Sequence, residues 1–95
     1  MKPKFKFSSS AWEYNNRRII NQVFKLLPMY ENEEDWQKQQ QTMLLELKGY
    51  NDVLENSPDF MIAVGKLAAL DYAEDRFNFR KLVFETITAL KEVKI

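Results

Sequence analysis

The chain has no cysteine and no histidine, and these two absences exclude much of protein chemistry. Without cysteine there is no disulfide, thiol nucleophile or thiolate metal site. Without histidine the chain lacks the usual general base near neutral pH, the Ser-His nucleophile pair and the commonest transition-metal ligand. We therefore expect a protein that is not an enzyme and that uses no cofactor or metal ion.

Glycine, proline and long apolar runs are also scarce. Two glycines and three prolines in 95 residues leave few helix breakers, and 45% hydrophobic with 29% charged residues argues against intrinsic disorder. No apolar run approaches the roughly 20 residues of a membrane-spanning helix, and the basic start lacks the apolar stretch of a signal peptide. We expect a cytoplasmic protein with no membrane partner.

Neither charge sign dominates, since 14 basic and 14 acidic residues balance. The charges are unevenly distributed: residues 1–30 are mainly basic, residues 31–59 mainly acidic, and the remainder nearly neutral. This asymmetry permits a basic and an acidic face, although antiparallel helices could equally set these segments side by side and cancel them.

Apolar residues at three- and four-residue steps predict two helices in the first half of the chain. The first starts at a capping box formed by Ser10 and Glu13 and is stopped or kinked at Pro28. Asn32 is the predicted cap of the second, with three acids in its first turn, and Gly49 ends it in a left-handed conformation.

Two more helices are predicted after a connector over residues 50–56 that contains one short helical turn. Ser57 caps the third and Pro58 opens it. Apolar residues at almost every azimuth of residues 60–73 predict that this helix is the buried centre. A break follows, and Asn78 is the predicted cap of the fourth helix. The fold class is therefore all-α: a compact antiparallel bundle of about four helices forming one domain over residues 10–95.

The opening KPKFKF has strict alternation but no partner strand in a helical chain. We expect residues 1–9 to form a flexible basic N-terminal arm. Its two phenylalanines either dock beside Trp12 or wait for a partner.

Two groups of acids could suggest a cation site or paired carboxylate chemistry. The first comprises Glu31, Glu33, Glu34 and Asp35, and the second Asp71, Glu74 and Asp75. The first matches no calcium loop and is explained as a solvated first turn. The second is explained by loop solvation or by ion pairs with Arg76 and Arg80.

Basic residues near aromatics could track phosphates and stack unpaired bases. The nucleic-acid candidates are Lys4, Lys6, Arg17, Arg18, Arg76, Arg80 and Lys81. Zero net charge argues against this interpretation, because nucleic-acid-binding domains are usually basic.

Thirteen of the 95 residues are aromatic, and tryptophan and tyrosine are enriched at protein interfaces. We predict that Phe60, Phe79 and Phe84 pack in the core. The candidates for a partner-binding surface are Trp12, Tyr14, Tyr30 and Trp36.

Three stretches, EYNNRRIINQVFKLLPMYENEEDWQKQ, LLELKGYNDVL and FRKLVFETITALKEV, resemble small helical accessory proteins of Gram-positive phages and other mobile genetic elements. The resemblance covers most of residues 11–93 and carries over no functional residue. It implies a non-enzymatic partner of a replication protein, or an inhibitor of a host protein.

These observations lead to one main hypothesis and one alternative. The main hypothesis is a non-enzymatic interaction module that is an accessory subunit or binding partner of a larger protein, with self-association left open. The alternative is a single-stranded nucleic-acid-binding accessory protein that works with a phage or mobile-element DNA replication enzyme.

Overall fold

A computed structural model describes residues 9–54 and 57–93, and all regular secondary structure in these ranges is helical. The elements are α1 (Ser9–Glu31), α2 (Trp36–Lys48), α3 (Asn51–Leu54), α4 (Pro58–Ala69), a 3₁₀ turn (Leu70–Tyr72) and α5 (Arg76–Glu92). Four long helices and two short helical elements confirm the predicted all-α bundle. Apart from Ser9, which is the first residue of α1, the predicted arm lies outside the described residues.

The four long helices form a ring in which each has two neighbours. Helix α1 packs against α2 and α5, and α4 packs against the same two. Cross-helix contacts show that neighbours are antiparallel; they include Arg18–Glu46, Gln40–Leu67, Asn16–Leu90 and Tyr30–Phe79. Consequently the α1–α2 turn and the α4–α5 connection lie at the same end of the bundle.

The core receives apolar side chains from every helix. Its largest fully buried members are Trp12, Phe60, Phe79, Ile19 and Leu26. Two buried amides cross it: Asn16 donates to the Leu90 carbonyl at 2.9 Å, and Gln40 donates to the Leu67 carbonyl at 2.8 Å. Both bonds tie antiparallel neighbours at a single register.

The prediction that the third helix is the buried centre is wrong. Met61 and Ile62 of α4 are about half exposed, and the buried residues of α4 are Phe60, Ala63 and Leu67. In a ring of four helices every helix keeps an outward face, so apolar residues at all azimuths cannot all be covered. Helix α5, with six buried residues, contributes more to the core.

Ser57 and Pro58 start α4 as predicted, since the Ser57 hydroxyl accepts from the Phe60 amide. Gly49 ends α2 as predicted, but with right-handed dihedrals (φ −63°). Ser10 lies within α1 and is not its cap. Pro28 does not stop α1, because Met29 and Tyr30 beyond it pack on the core and hold the last turn.

Two predicted caps are wrong by three residues each. Asp35, not Asn32, caps α2, and Asp75, not Asn78, caps α5; their carboxylates accept from the amides of Lys38 and Asn78. The three acids predicted in the first turn of α2 therefore precede the helix.

Candidate functional site

The turn between α1 and α2 ends α1 with a Schellman motif. The Glu33 amide donates to the Tyr30 carbonyl at 3.2 Å, and the Glu34 amide donates to the Met29 carbonyl at 2.8 Å. This motif requires a left-handed residue, which is usually glycine, and here Glu33 occupies it with φ 59°. The two hydrogen bonds hold the backbone of this turn in one conformation, and its glutamate side chains are exposed.

Three aromatic rings pack beneath this turn. Tyr30 stacks on Phe79 with centroids 4.0 Å apart, and the edge of Trp36 meets Phe79 at 4.8 Å. Phe79 is buried, whereas Tyr30 and Trp36 are partly exposed. The core residue Phe79 therefore fixes two aromatic side chains at the surface.

The α4–α5 connection brings further aromatics and acids to the same end. Tyr72 is 84% exposed and Phe77 is 74% exposed, which is unusual for large apolar rings. Asp71 is exposed beside Tyr72, and Glu74 is exposed between Tyr72 and Phe77. The two connections, distant in sequence, together form one surface.

We call this surface the acidic aromatic end. Its aromatic members are Tyr30, Trp36, Tyr72 and Phe77, and its carboxylates belong to Glu31, Glu33, Glu34, Asp35, Asp71, Glu74 and Asp75. Arg76 is the base at its centre and lines a depression of about 510 Å³ with Tyr30, Trp36 and three of the glutamates.

Most carboxylates of the acidic aromatic end have no bonding partner among the described residues. Asp35 and Asp75 cap helices, but the others make no ion pair or side-chain hydrogen bond with any described residue. Of the two explanations given for the second acidic group, the ion pairs with Arg76 and Arg80 are therefore absent among the described residues, which leaves loop solvation. Within residues 9–54 and 57–93 no three acids gather closely enough to hold a metal ion, so the geometry is that of a surface.

The structure brings together only two of the four predicted partner-binding residues. Tyr30 and Trp36 have ring centroids 6.1 Å apart. Trp12 is 2% exposed and belongs to the core, with its ring edge-on to Tyr50, so it offers no contact surface. Tyr14 is exposed on α1 near the opposite end of the bundle.

The basic nucleic-acid candidates do not form one patch. Arg17 and Arg18 lie in the first half of α1, whereas Arg76, Arg80 and Lys81 begin the antiparallel α5 at the other end. Lys4 and Lys6 lie outside the described residues.

Two of these arginines already have partners. Arg18 forms an ion pair with Glu46, and this hydrogen bond raises the pKa of the guanidinium above its ordinary value. Arg80 lies 5.4 Å from the ring centre of Phe84. Both guanidinium groups are thereby less available for phosphate contacts.

The basic face of α1 contains a depression of its own. It measures about 320 Å³ and is lined by Tyr14, Arg17, Arg18, Asn21, Gln22 and Lys25. These residues recur at three- and four-residue steps along the outward face of one helix.

A second surface is a shallow groove between α4 and α5, which we call the α4–α5 groove. It measures about 510 Å³ and is lined by Asp59, Ile62, Lys66, Lys81, Phe84, Glu85, Thr88 and Ala89. Phe84 was expected in the core, but it is 39% exposed, because its azimuth on α5 faces outward beside α4.

Sequence reasoning missed Tyr72 and Phe77, which lie at the end of the helix predicted to be buried and next to the predicted cap Asn78. The available signal was their proximity to Asp71, Glu74 and Asp75, since acidic residues are mostly exposed and several together indicate a solvated segment. That Tyr72 and Phe77 lie at the same end of the bundle as Tyr30 and Trp36 depends on the antiparallel topology.

Comparison with models of known protein families, with characterised proteins and with solved structures gives no match. None of the described helices is long and apolar enough to cross a membrane.

Proposed function

We propose that this protein is a non-enzymatic interaction module that binds a larger protein through the acidic aromatic end, as an accessory subunit. The observation that carries the proposal is the meeting of two acidic connections around four exposed or partly exposed aromatic rings. The absence of cysteine and histidine from the chain supports a role other than catalysis.

The chemistry of the acidic aromatic end fits a basic partner segment. Tyrosine, tryptophan and phenylalanine supply large contact area at interfaces, and unpaired carboxylates attract arginine and lysine. Arginine side chains also stack on aromatic faces, so an arginine-bearing segment would satisfy both features. Binding through such a surface should weaken as salt is added.

The backbone of Glu33 is a further argument for a role of its side chain. A left-handed conformation costs a residue other than glycine about 1 kcal/mol or more. Glu33 adopts this conformation at the centre of the turn and uses its carboxylate in no bond with a described residue. Glu33 therefore occupies an unfavourable backbone conformation and exposes a charged side chain, which is consistent with recognition of that side chain by a partner.

Differential capture from the native host tests this proposal with two matched variants. The end variant carries Glu31→Gln, Glu34→Gln and Glu74→Gln; the control variant carries Glu13→Gln, Asp52→Asn and Glu92→Gln. All six residues are exposed, and the control sites lie toward the opposite end. Both variants change the net charge by the same amount.

We expect the wild type and the control variant to retain one partner that cross-links to the acidic aromatic end through a basic segment. The end variant should lose it. Equal retention by the end variant, or cross-links confined to other surfaces, would contradict the proposal.

A second candidate function is single-stranded nucleic-acid binding beside a phage or mobile-element replication enzyme. It is favoured by the outward face of α1, where Tyr14, Arg17 and Lys25 line one depression. A labelled oligonucleotide should then bind at low salt with an affinity that falls steeply as salt rises. Arg17→Gln with Lys25→Gln should abolish binding, and no binding by the wild type at low salt would exclude this function.

A further inference from the structure

The α4–α5 groove has an apolar centre that the bundle leaves uncovered. Ile62 is 49% exposed and Phe84 39%, and Phe24 of α1 meets the Phe84 ring edge-on at 5.9 Å. Ala89 completes the apolar lining. Charged residues surround this centre, which is the usual arrangement of a protein interface.

The charges of the groove are separated along its length. Because α4 and α5 are antiparallel, Asp59 at the start of α4 lies at one end of the groove, and Lys81 near the start of α5 lies at the other. Lys66 forms an ion pair with Glu85 at 3.0 Å. Asp59 and Lys81 form no ion pair with any described residue, so the groove is acidic at one end and basic at the other.

A surface with opposite charges at its two ends is complementary to itself. A two-fold axis through its middle exchanges the ends, so that Asp59 of each copy faces Lys81 of the other while the apolar centres meet. The chain has no net charge, so two copies do not repel each other at long range. The charge pattern therefore selects a second copy as the occupant.

We propose that two copies of this protein associate around a two-fold axis through their α4–α5 grooves. This association goes beyond the proposed function because it uses a different face of the bundle. The dimer would carry its two acidic aromatic ends in opposite directions, so one dimer could engage two basic segments and gain avidity.

Sedimentation velocity of the full chain, from roughly 1 µM to roughly 500 µM, tests the association directly, since weak dimers have micromolar dissociation constants. We expect the mass to rise from 11.4 kDa toward twice that value. A mass that stays at 11.4 kDa throughout would overturn the proposal.

A charge exchange tests the geometry. Asp59→Lys alone places bases opposite bases, and Lys81→Asp alone places acids opposite acids, so each variant should be a monomer. Mixing the two variants restores both opposite-charge contacts and should restore the dimer. Restoration by mixing also shows that both variants are folded.

Persistence of the dimer in either single variant, or failure of the mixture to dimerise, would overturn the proposed geometry. Phe84→Asp should also give a monomer, and a dimer of this variant would likewise overturn the proposed geometry. The end variant defined above should dimerise like the wild type, so failure of the proposed function and failure of this inference are distinguishable.

Discussion

Tyr30 stacks on Phe79 with ring planes inclined by 18° and centroids 4.0 Å apart, and this contact joins the last turn of α1 to the first turn of α5. Phe79 is fully buried and Tyr30 is partly exposed, so the pair connects the core to the acidic aromatic end. Trp36 contacts the same ring from α2. Three helices therefore depend on one phenylalanine for the arrangement of this surface.

Replacement of Phe79 by alanine should lower the free energy of unfolding by about 3 to 5 kcal/mol, because it removes a buried ring and leaves a cavity under Tyr30 and Trp36. Phe77→Ala, two residues earlier on the same helix, should change it by less than about 0.5 kcal/mol because its ring is exposed. Urea unfolding measures both. Similar losses in the two variants would contradict the assigned burial.

Replacement of Glu33 by glycine should raise the free energy of unfolding by about 1 kcal/mol, because glycine adopts the left-handed conformation without steric cost. Glu34→Gly is the matched control: its backbone is not left-handed, and it should give no such gain. If Glu33 contacts the partner, the same Glu33→Gly protein should bind more weakly while being more stable. A stability loss in Glu33→Gly would refute the Schellman assignment.

Gln40 is a buried amide whose Nε2 donates to the Leu67 carbonyl and whose Oε1 has no partner among the residues that the structure describes. Gln40→Met keeps the side-chain volume and removes the unpaired acceptor, so its stability should lie within about 1 kcal/mol of the wild type. Gln40→Ala leaves a cavity and should cost about 2 kcal/mol or more. Thermal unfolding distinguishes the two, and a methionine variant as unstable as the alanine variant would show that the hydrogen bond, not the packing, holds α2 to α4.

Burial raises the pKa of the Tyr50 hydroxyl above its ordinary value; the nearby Glu46 carboxylate raises it further and Arg18 opposes the shift. Below the ordinary tyrosine pKa of about 10 the hydroxyl is protonated in both the folded and the unfolded chain, so it does not change the free energy of unfolding. As pH rises further, the unfolded chain ionises first, so stability should fall.

Tyr50→Phe keeps the ring that packs against Trp12 and removes this ionisation. The loss of stability between about pH 9 and about pH 11 should therefore be smaller in Tyr50→Phe than in the wild type, as measured by urea midpoints. An equal loss in the two proteins would contradict the raised pKa of the Tyr50 hydroxyl.

Local signals were sufficient for the helices and for much of the core. The periodic apolar stripes, Ser57-Pro58 and Gly49 predict α1, α2, α4 and α5 with short connections. The caps were harder to predict because Asn32 and Asp35 are both good capping residues, and the choice depends on where α1 ends. That end is held by Tyr30 against Phe79, a contact between residues 49 positions apart that no local window contains.

The candidate surfaces depend on topology for the same reason. Each acidic group alone is explained by solvation, as the sequence indicated, together with the caps Asp35 and Asp75, which it did not indicate. Only the antiparallel ring brings the 31–35 turn and the 71–75 connection to one end and separates Arg17 from Arg76. The exposure of Phe84 depends on which face of α5 the neighbouring helices cover. The spacing of apolar residues along α5 does not determine that face.

The central claim is that the acidic aromatic end binds a basic protein segment. Its most direct test is a titration of the ¹⁵N-labelled chain with a short arginine-rich peptide at low salt, followed through the backbone amides. We predict shifts concentrated in residues 30–36 and 71–77, with affinity lost in the end variant and kept in the control variant. Shifts spread over the whole surface, or equal weakening by both variants, would show that net charge alone attracts the peptide and would contradict the account.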